Sequence, residues 1–419
     1  MWRLVHICRV PPGAPLTEPA FGRAQRWTAR FGCVIQIRQL QASEYLAFID
    51  RVSAPGSDFA TTVSFLQTPA WAQVKPEWKP ELLAWFDGSQ LIGVGLVLYR
   101  QLPKLKRYLA YLPEGPVLDW GRRDVPELLD ALVGHARKQG AFAVRIGPTL
   151  VHHRWHTETI KAAIADPAIT TLAEVTPDET ANAATRLANT LTHLRWRAPR
   201  DAEGFTAGQP QYNFQLPLTD RTAEGHPPLT AEAVLAGMNQ QWRRNIKKAD
   251  KAGVQVRQGT RADLADFHRV YLETAERDGF TGRPLGYFET MWDALRGENE
   301  QRMTLYLAHH EGDLVAATTY VQVGRHAWYS YGASTNVKRE VRGSNRIQWQ
   351  MITDALAAGA EVYDLRGITP AVAEDHPEIG LIQFKVGTGG QAVSYVGEWD
   401  KPINPVLYRA FMAYMERRK

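Results

Sequence analysis

From residue 82 the chain reads Leu82-Leu-Ala-Trp-Phe-Asp-Gly-Ser-Gln-Leu-Ile-Gly-Val-Gly-Leu-Val-Leu, two apolar runs parted by Asp87-Gly88. A turn dipeptide between two such runs predicts strand, turn, strand. Next come a strand at 108–111, a loop with Gly115-Pro116, a helix over Val125–Lys138 ended by Gly140, and a strand over Ala141–Ile146. The second half repeats this order: a strand pair from Leu305, an aromatic strand at 327–331, a polar basic loop, a helix at 344–358, Gly359, and a strand at 361–365. Gln139-Gly-Ala-Phe-Ala-Val-Arg-Ile-Gly and Ala358-Gly-Ala-Glu-Val-Tyr-Asp-Leu-Arg share one pattern. Each half opens with a helix–loop–helix region, at 43–75 in the first and at 262–275 with 285–296 in the second. Two copies of one mixed α/β unit account for this periodicity.

The order of strand pair, strand, helix, strand resembles the acetyltransferase-like (GNAT) fold, so the expected class is α/β with tandem GNAT-like mixed-sheet domains. The first domain is expected over 41–208, joined by a C-terminal helical segment at 397–419, and the second over 209–396, with the polar 219–228 stretch near the joint. The first 40 residues carry six arginines against one acid, Glu18, and four clustered prolines. They read as a disordered basic tail or an extended start of translation, with a transit peptide as the alternative; their apolar run is too broken for a secretory signal.

Length and composition narrow the class. At 419 residues the chain exceeds one ordinary core, and 44% apolar content suits packed domains. No run reaches the roughly 18 apolar residues of a membrane span, so a cytoplasmic protein is expected. The two cysteines, Cys8 and Cys33, form neither a disulfide framework nor a metal site. His152-His153 with His156, and His309-His310, lack an accompanying carboxylate pattern, and no metal is expected. Net charge is +5, which suits an anionic partner.

The cations concentrate in Gln241-Trp-Arg-Arg-Asn-Ile-Lys-Lys-Ala-Asp-Lys-Ala-Gly253. Arg243, Arg244, Lys247, Lys248 and Lys251 fall on i,i+4 rows of one short helix and repel one another. Phosphate would offset that repulsion; a solvated surface is the plain alternative. A coenzyme A site needs a Gly-rich loop opening the central helix. Arg342-Gly-Ser-Asn-Arg346 and Gly121-Arg-Arg-Asp-Val-Pro126 do not match that pattern, so an acyl-CoA donor is disfavoured.

Seven segments in order resemble the FemABX family of aminoacyl-tRNA-dependent peptidyltransferases, in its short form without a helical arm. They are Trp71-Ala-Gln-Val-Lys75 with Trp78, Glu114-Gly-Pro-Val-Leu-Asp119, the basic helix before Gly253-Val-Gln-Val, the stretch from Arg277 to Phe288, Tyr329-Ser-Tyr-Gly-Ala-Ser334, Tyr363-Asp-Leu-Arg-Gly367 and Phe384-Lys-Val-Gly387. The resemblance spans about residues 45–410. It implies transfer of an amino acid from aminoacyl-tRNA, a co-substrate rather than a cofactor, to an amine of a peptidoglycan precursor peptide. Lipid II or UDP-MurNAc-pentapeptide is the implied acceptor, with no DNA partner. By the same resemblance Lys75, Arg283, Tyr287 and Tyr331 bind the acceptor, the basic helix meets tRNA, and Lys385 lies near the reacting groups.

The residue types agree with those roles. Arg and Lys suit a diphosphate, and aminolysis of an activated ester needs alignment and oxyanion stabilisation more than a nucleophilic triad. No general base stands out; Asp364 is a candidate helper. One departure is visible: short members carry an Asp after the first unit's last strand, where this chain has Gly147. That keeps open a peptidyl secondary metabolite as acceptor, or a non-catalytic precursor- or nucleic-acid-binding protein. The segment 405–419 is expected to dock as a helix on the body, with peripheral contact to the inner membrane face as an alternative use of its terminal cations.

Overall fold

The computed structural model describes residues 35–198 and 208–417. The first half contains β1 (Ile35–Gln39), α1 (Ala42–Ser53), α2 (Pro69–Val74), β2 (Lys79–Asp87), β3 (Gln90–Gln101), β4 (Tyr108–Leu112), β5 (Val117–Leu118), α3 (Val125–Lys138) and β6 (Ala141–Ile146). A connecting region follows: β7 (Val151–His156), α4 (Thr157–Ala165), β8 (Glu179–Thr180) and α5 (Asn182–His193). The second half opens with β9 (Tyr212–Pro217), α6 (Ala231–Gly237), α7 (Gln240–Lys251), β10 (Gln255–Gln258), α8 (Leu264–Asp278) and α9 (Leu285–Glu298). It continues with β11 (Met303–His310), β12 (Asp313–Val323), β13 (His326–Ser334), α10 (Gly343–Ala357), β14 (Val362–Gly367) and α11 (Ile379–Val386). β15 (Gln391–Tyr395), β16 (Trp399–Pro402) and α12 (Pro405–Glu416) complete the chain.

The strands form two mixed sheets. One runs β1-β2-β3-β4-β6-β16, with β5 beside β3; the other runs β10-β11-β12-β13-β14-β9-β15-β7-β8. Each holds an antiparallel hairpin, a third strand and a parallel partner reached through a helix: β4 with β6 across α3, β13 with β14 across α10. This is the tandem GNAT-like fold. Helix amphipathicity explains the crossovers. In α3 the residues Val125, Leu128, Leu129, Leu132, Val133 and Ala136 are buried on one stripe.

Two expected boundaries shift. The expected boundary at residue 40 falls too late, because Ile35–Gln39 pairs along β2 as β1, with Ile35 and Ile37 packed against the core; the rest of the expected basic tail, residues 1–34, lies outside the described residues. The division at 208 also fails. β7 and β8 belong to the second sheet, where β7 pairs with β15 and Trp155 is buried in the second core. β16 returns to the first sheet beside β6. Strands that cross between sheets leave no local signal, since pairing partners are distant in sequence.

The two halves share a core. Tyr45, Phe65 and Trp71 of the first pack in one cluster with Phe267, Phe288 and Trp328 of the second. The Phe65 ring lies 5.3 Å from both Trp71 and Trp328. No helix among the described residues is long and apolar enough to cross a membrane.

Candidate active site

Lys75 caps the C-terminal end of α2, a helix anchored by buried Trp71 and Val74. Tyr287 sits in the first turn of α9, and Arg283 in the loop before it, where the Arg283 carbonyl is bonded by His268 Nε2 at 3.0 Å. The two halves bring these side chains to one place. Lys75 Nζ is 5.3 Å from the Tyr287 ring centroid, and Arg283 Cζ is 4.7 Å from the same centroid. Tyr287 Oη and Tyr331 Oη are 3.1 Å apart. Burial pushes the Lys75 ammonium down, and the nearby Arg283 charge pushes it further. Burial, then the Tyr331 hydroxyl, push the Tyr287 phenol up. Two cations on a tyrosine face, with two hydroxyls beside them, form a cluster suited to a diphosphate or carboxylate. The four residues expected at an acceptor site are therefore adjacent.

Lys385 lies elsewhere along the same junction. It falls within α11 and is 3% exposed. Its Nζ donates to Gly367 O at 2.7 Å and Arg366 O at 3.3 Å. Burial pushes this ammonium down to about 7, against the opposing charges of Asp364 and Glu378. Asp364 is also buried and accepts from Arg366 N at 2.6 Å and Gln215 Nε2 at 3.1 Å, with His326 Nε2 3.1 Å away. Burial works to raise its carboxyl, but the His326 bond and charge, the Arg366 charge and the Gln215 bond outweigh it and hold it low.

Arg366 ties this cluster to the first half. Its Nη1 reaches Glu114 Oε1 at 2.9 Å and its Nη2 reaches Gln209 Oε1 at 3.2 Å. Ser64 Oγ donates to the other Glu114 oxygen. Arg366 Cζ lies 5.7 Å from the Phe65 ring, and Phe65 abuts Trp71, so packed side chains run from the Lys385 cluster to Lys75. Glu114 and Arg366 stood inside recognised motifs without an assigned role. Ser64, Gln209, Gln215 and His326 carried no sequence signal, because their importance comes only from long-range pairing.

Gly147 lies beside Glu114 and Glu398. Its N–H donates to Gly115 O at 2.9 Å, and an added Cβ would meet Glu398 Cγ at 3.4 Å and Glu114 N at 3.3 Å. Glu398 accepts from Tyr111 Oη at 2.5 Å and Gln209 N at 3.2 Å. Asp119 accepts from Gly121 N at 2.9 Å and closes a turn.

A second opening lies in the second half. β4 and β6 pair along their whole length, but β13 and β14 pair only over 326–328 with 362–364. Beyond that point is a cavity of about 130 Å³ lined by Arg277, Thr318, Tyr329, Ser334, Ser344 and Phe384, the last adjoining Lys385. α7 is fastened to this wall. Trp242 Nε1 donates to Phe384 O at 2.8 Å, the two rings are 4.8 Å apart, and Gly387 leaves no room for a Cβ beside Trp242.

Asn239 caps α7 through Trp242 N at 2.8 Å, and Gly253 ends the turn after it with φ +79°. Arg244, Lys247, Lys248 and Lys251 are exposed and make no ion pair among the described residues. Arg243 departs from the expected stripe: its Nη1 donates to Ala236 O at 2.8 Å and Met238 O at 2.6 Å, which closes the end of α6. His152 and His153 bond Thr185 and Thr180, each at 3.1 Å, and among the described residues no metal-binding group of three His, Cys, Asp or Glu assembles.

Comparison with known proteins places this geometry. The sequence profile of the FemAB family matches residues 57–313 and 298–416. The UDP-N-acetylmuramoylpentapeptide-lysine N(6)-alanyltransferase of Weissella viridescens is 29% identical over 348 residues, covering 82% of this chain and 90% of that one. The lipid II:glycine glycyltransferase of Staphylococcus saprophyticus is 24% identical over 408 residues, covering 82% and 89%. The crystal structure of FemX superposes with a TM-score of 0.72 at 21% identity, covering 90% of this chain and 99% of that chain.

Proposed function

The chain belongs to the FemAB family, and from that premise we propose that it transfers an amino acid from aminoacyl-tRNA to an amine of a peptidoglycan precursor peptide, building an interpeptide bridge. It is an aminoacyltransferase, as its named relatives are. The observation that carries the reading is the meeting of Lys75 from the first half with Arg283, Tyr287 and Tyr331 from the second. That pocket is joined through Trp71, Phe65 and Arg366 to the cluster around Lys385.

In this reading the acceptor's diphosphate and peptide occupy the Lys75–Arg283 pocket. The donor's aminoacyl end enters the cavity between β13 and α10, with the tRNA backbone along Arg244, Lys247, Lys248 and Lys251. A donor of that kind places the reaction in the cytoplasm. The acceptor amine attacks the ester carbon, a C–N bond forms, the C–O bond to the tRNA ribose breaks, and the amine's proton passes to the leaving hydroxyl. Lys385, drawn towards the cavity from its two carbonyl partners, stabilises the charge that develops on the carbonyl oxygen.

Steady-state kinetics test the division of labour. Arg283→Ala should raise the acceptor KM with little change in kcat, and Lys385→Ala should lower kcat with both KM values near wild type. Lys385→Ala with an unchanged rate would remove its proposed role, and no measurable rate in either protein would favour a binding protein.

A further inference from the structure

Among the described residues, α12 packs its apolar side chains through one face. Tyr408 is buried, and Leu407, Phe411 and Met412 lie partly covered against Leu109, Phe142 and Ala143 of β4 and β6. The outward stripe is Val406, Ala410, Ala413 and Arg417, all exposed and spaced as one helical face. Val406 is 74% exposed. Apart from its terminal cation this stripe is apolar.

The turn between β3 and β4 stands beside it, because Leu102 packs in the same cluster as Leu407 and Phe411. Leu105 in that turn is 48% exposed and flanked by exposed Lys104, Lys106 and Arg107. Residues 102–107 and 405–417 together carry Lys104, Lys106, Arg107, Arg409 and Arg417 against one acid, Glu416, and the sequence continues with Arg418 and Lys419. Exposed apolar side chains ringed by cations match the headgroup layer of an anionic bilayer, which takes up both kinds of group. A second copy of this chain would present the same cations and be repelled.

This surface leads to the acceptor pocket. Tyr111 packs on the same cluster, its ring lies 5.9 Å from that of Trp78, and Trp78 N donates to Lys75 O at 3.0 Å.

We propose that the outer stripe of α12 and the β3–β4 turn form a docking surface for an anionic lipid bilayer, which holds the Lys75–Arg283 pocket against a lipid-linked acceptor. The docking half stands on the surface alone; the choice of acceptor rests on the function proposed above.

The test uses the full-length protein and vesicles of phosphatidylcholine alone or mixed equally with phosphatidylglycerol. Sedimentation should show binding to the mixed vesicles and not to the neutral ones. Lys104→Glu/Lys106→Glu/Arg107→Glu should weaken it about tenfold or more, and Val406→Asp should weaken it as well. Transfer to soluble UDP-MurNAc-pentapeptide, measured on the same samples, should be unchanged in the triple variant, while transfer to vesicle-embedded lipid II falls. Equal affinity for both vesicles, wild-type binding by the triple variant, or a Val406-dependent dimer that ignores vesicles would overturn the docking surface. Vesicle binding without transfer to either acceptor would instead overturn the function and leave the surface standing.

Discussion

The Lys75 ammonium at the end of α2 lies 5.3 Å from the ring centroid of Tyr287 in α9, across the boundary between the two halves. Neither half holds both members of this contact, so the pocket exists only when the shared core around Phe65, Phe288 and Trp328 is formed. Substitutions inside the pocket should act on the acceptor alone. Tyr287→Phe keeps the ring and loses one hydrogen bond, which is worth about 1 kcal/mol and should raise the acceptor KM roughly fivefold. Tyr287→Ala also removes the face beneath Lys75 and Arg283 and should raise it further. Donor KM measured in parallel should not move.

Arg243 and Lys247 share a helix face but differ in their contacts. Arg243 closes α6 through two carbonyls, whereas Lys247 and Lys248 are exposed and make no ion pair among the described residues. Lys247→Glu/Lys248→Glu should weaken tRNA binding and lower the slope of log affinity against log salt by roughly 2, leaving acceptor binding intact. Arg243→Ala should lower thermal stability while changing the salt slope little. Equal loss of both substrates in the double variant would contradict the tRNA assignment.

The buried Lys385 makes stability depend on pH. Its ammonium is pushed down to about 7 in the folded chain, against roughly 10.4 when unfolded. Between those values the unfolded chain binds one more proton, so this residue's contribution to stability rises with pH, by at most about 1.4 kcal/mol per unit. Below the folded value both states are protonated and the slope vanishes. Lys385→Met lacks this dependence. Denaturation at pH 6.5 and 8.5 should show the variant's advantage over wild type shrinking at the higher pH; parallel shifts would contradict it.

Arg366→Ala should be among the most damaging single changes to stability. It leaves the buried Glu114 carboxylate without its cation, at a cost of about 3–5 kcal/mol. Adding Glu114→Gln should restore part of the loss, because a neutral amide is less costly to bury. Chemical denaturation of the single and double variants measures both.

Much of the fold was legible locally. The Val125–Lys138 helix and the Ala141–Ile146 strand fall where the periodicity put them, because an amphipathic stripe and a stop glycine are short-range signals. The crossing of β7 to the second sheet was not legible, since it depends on β15, more than two hundred residues away. At the site, Lys75, Arg283, Tyr287 and Tyr331 came from motif resemblance, and their adjacency is a tertiary fact. Lys385 came from the same resemblance, and its burial within α11, which extends through Val386, depends on tertiary packing. Arg243 looked like its neighbours until Ala236 and Met238 were seen to hold it.

The most direct measurement is aminoacyl transfer itself. Purified protein is mixed with bulk tRNA charged with radiolabelled Gly, Ala or Ser, and with lipid II or UDP-MurNAc-pentapeptide. The account predicts that label moves to the precursor with at least one pair, and that ribonuclease treatment of the charged tRNA abolishes the transfer. Label that reaches no precursor from any of these donors, or that moves equally well after the tRNA is destroyed, would contradict it.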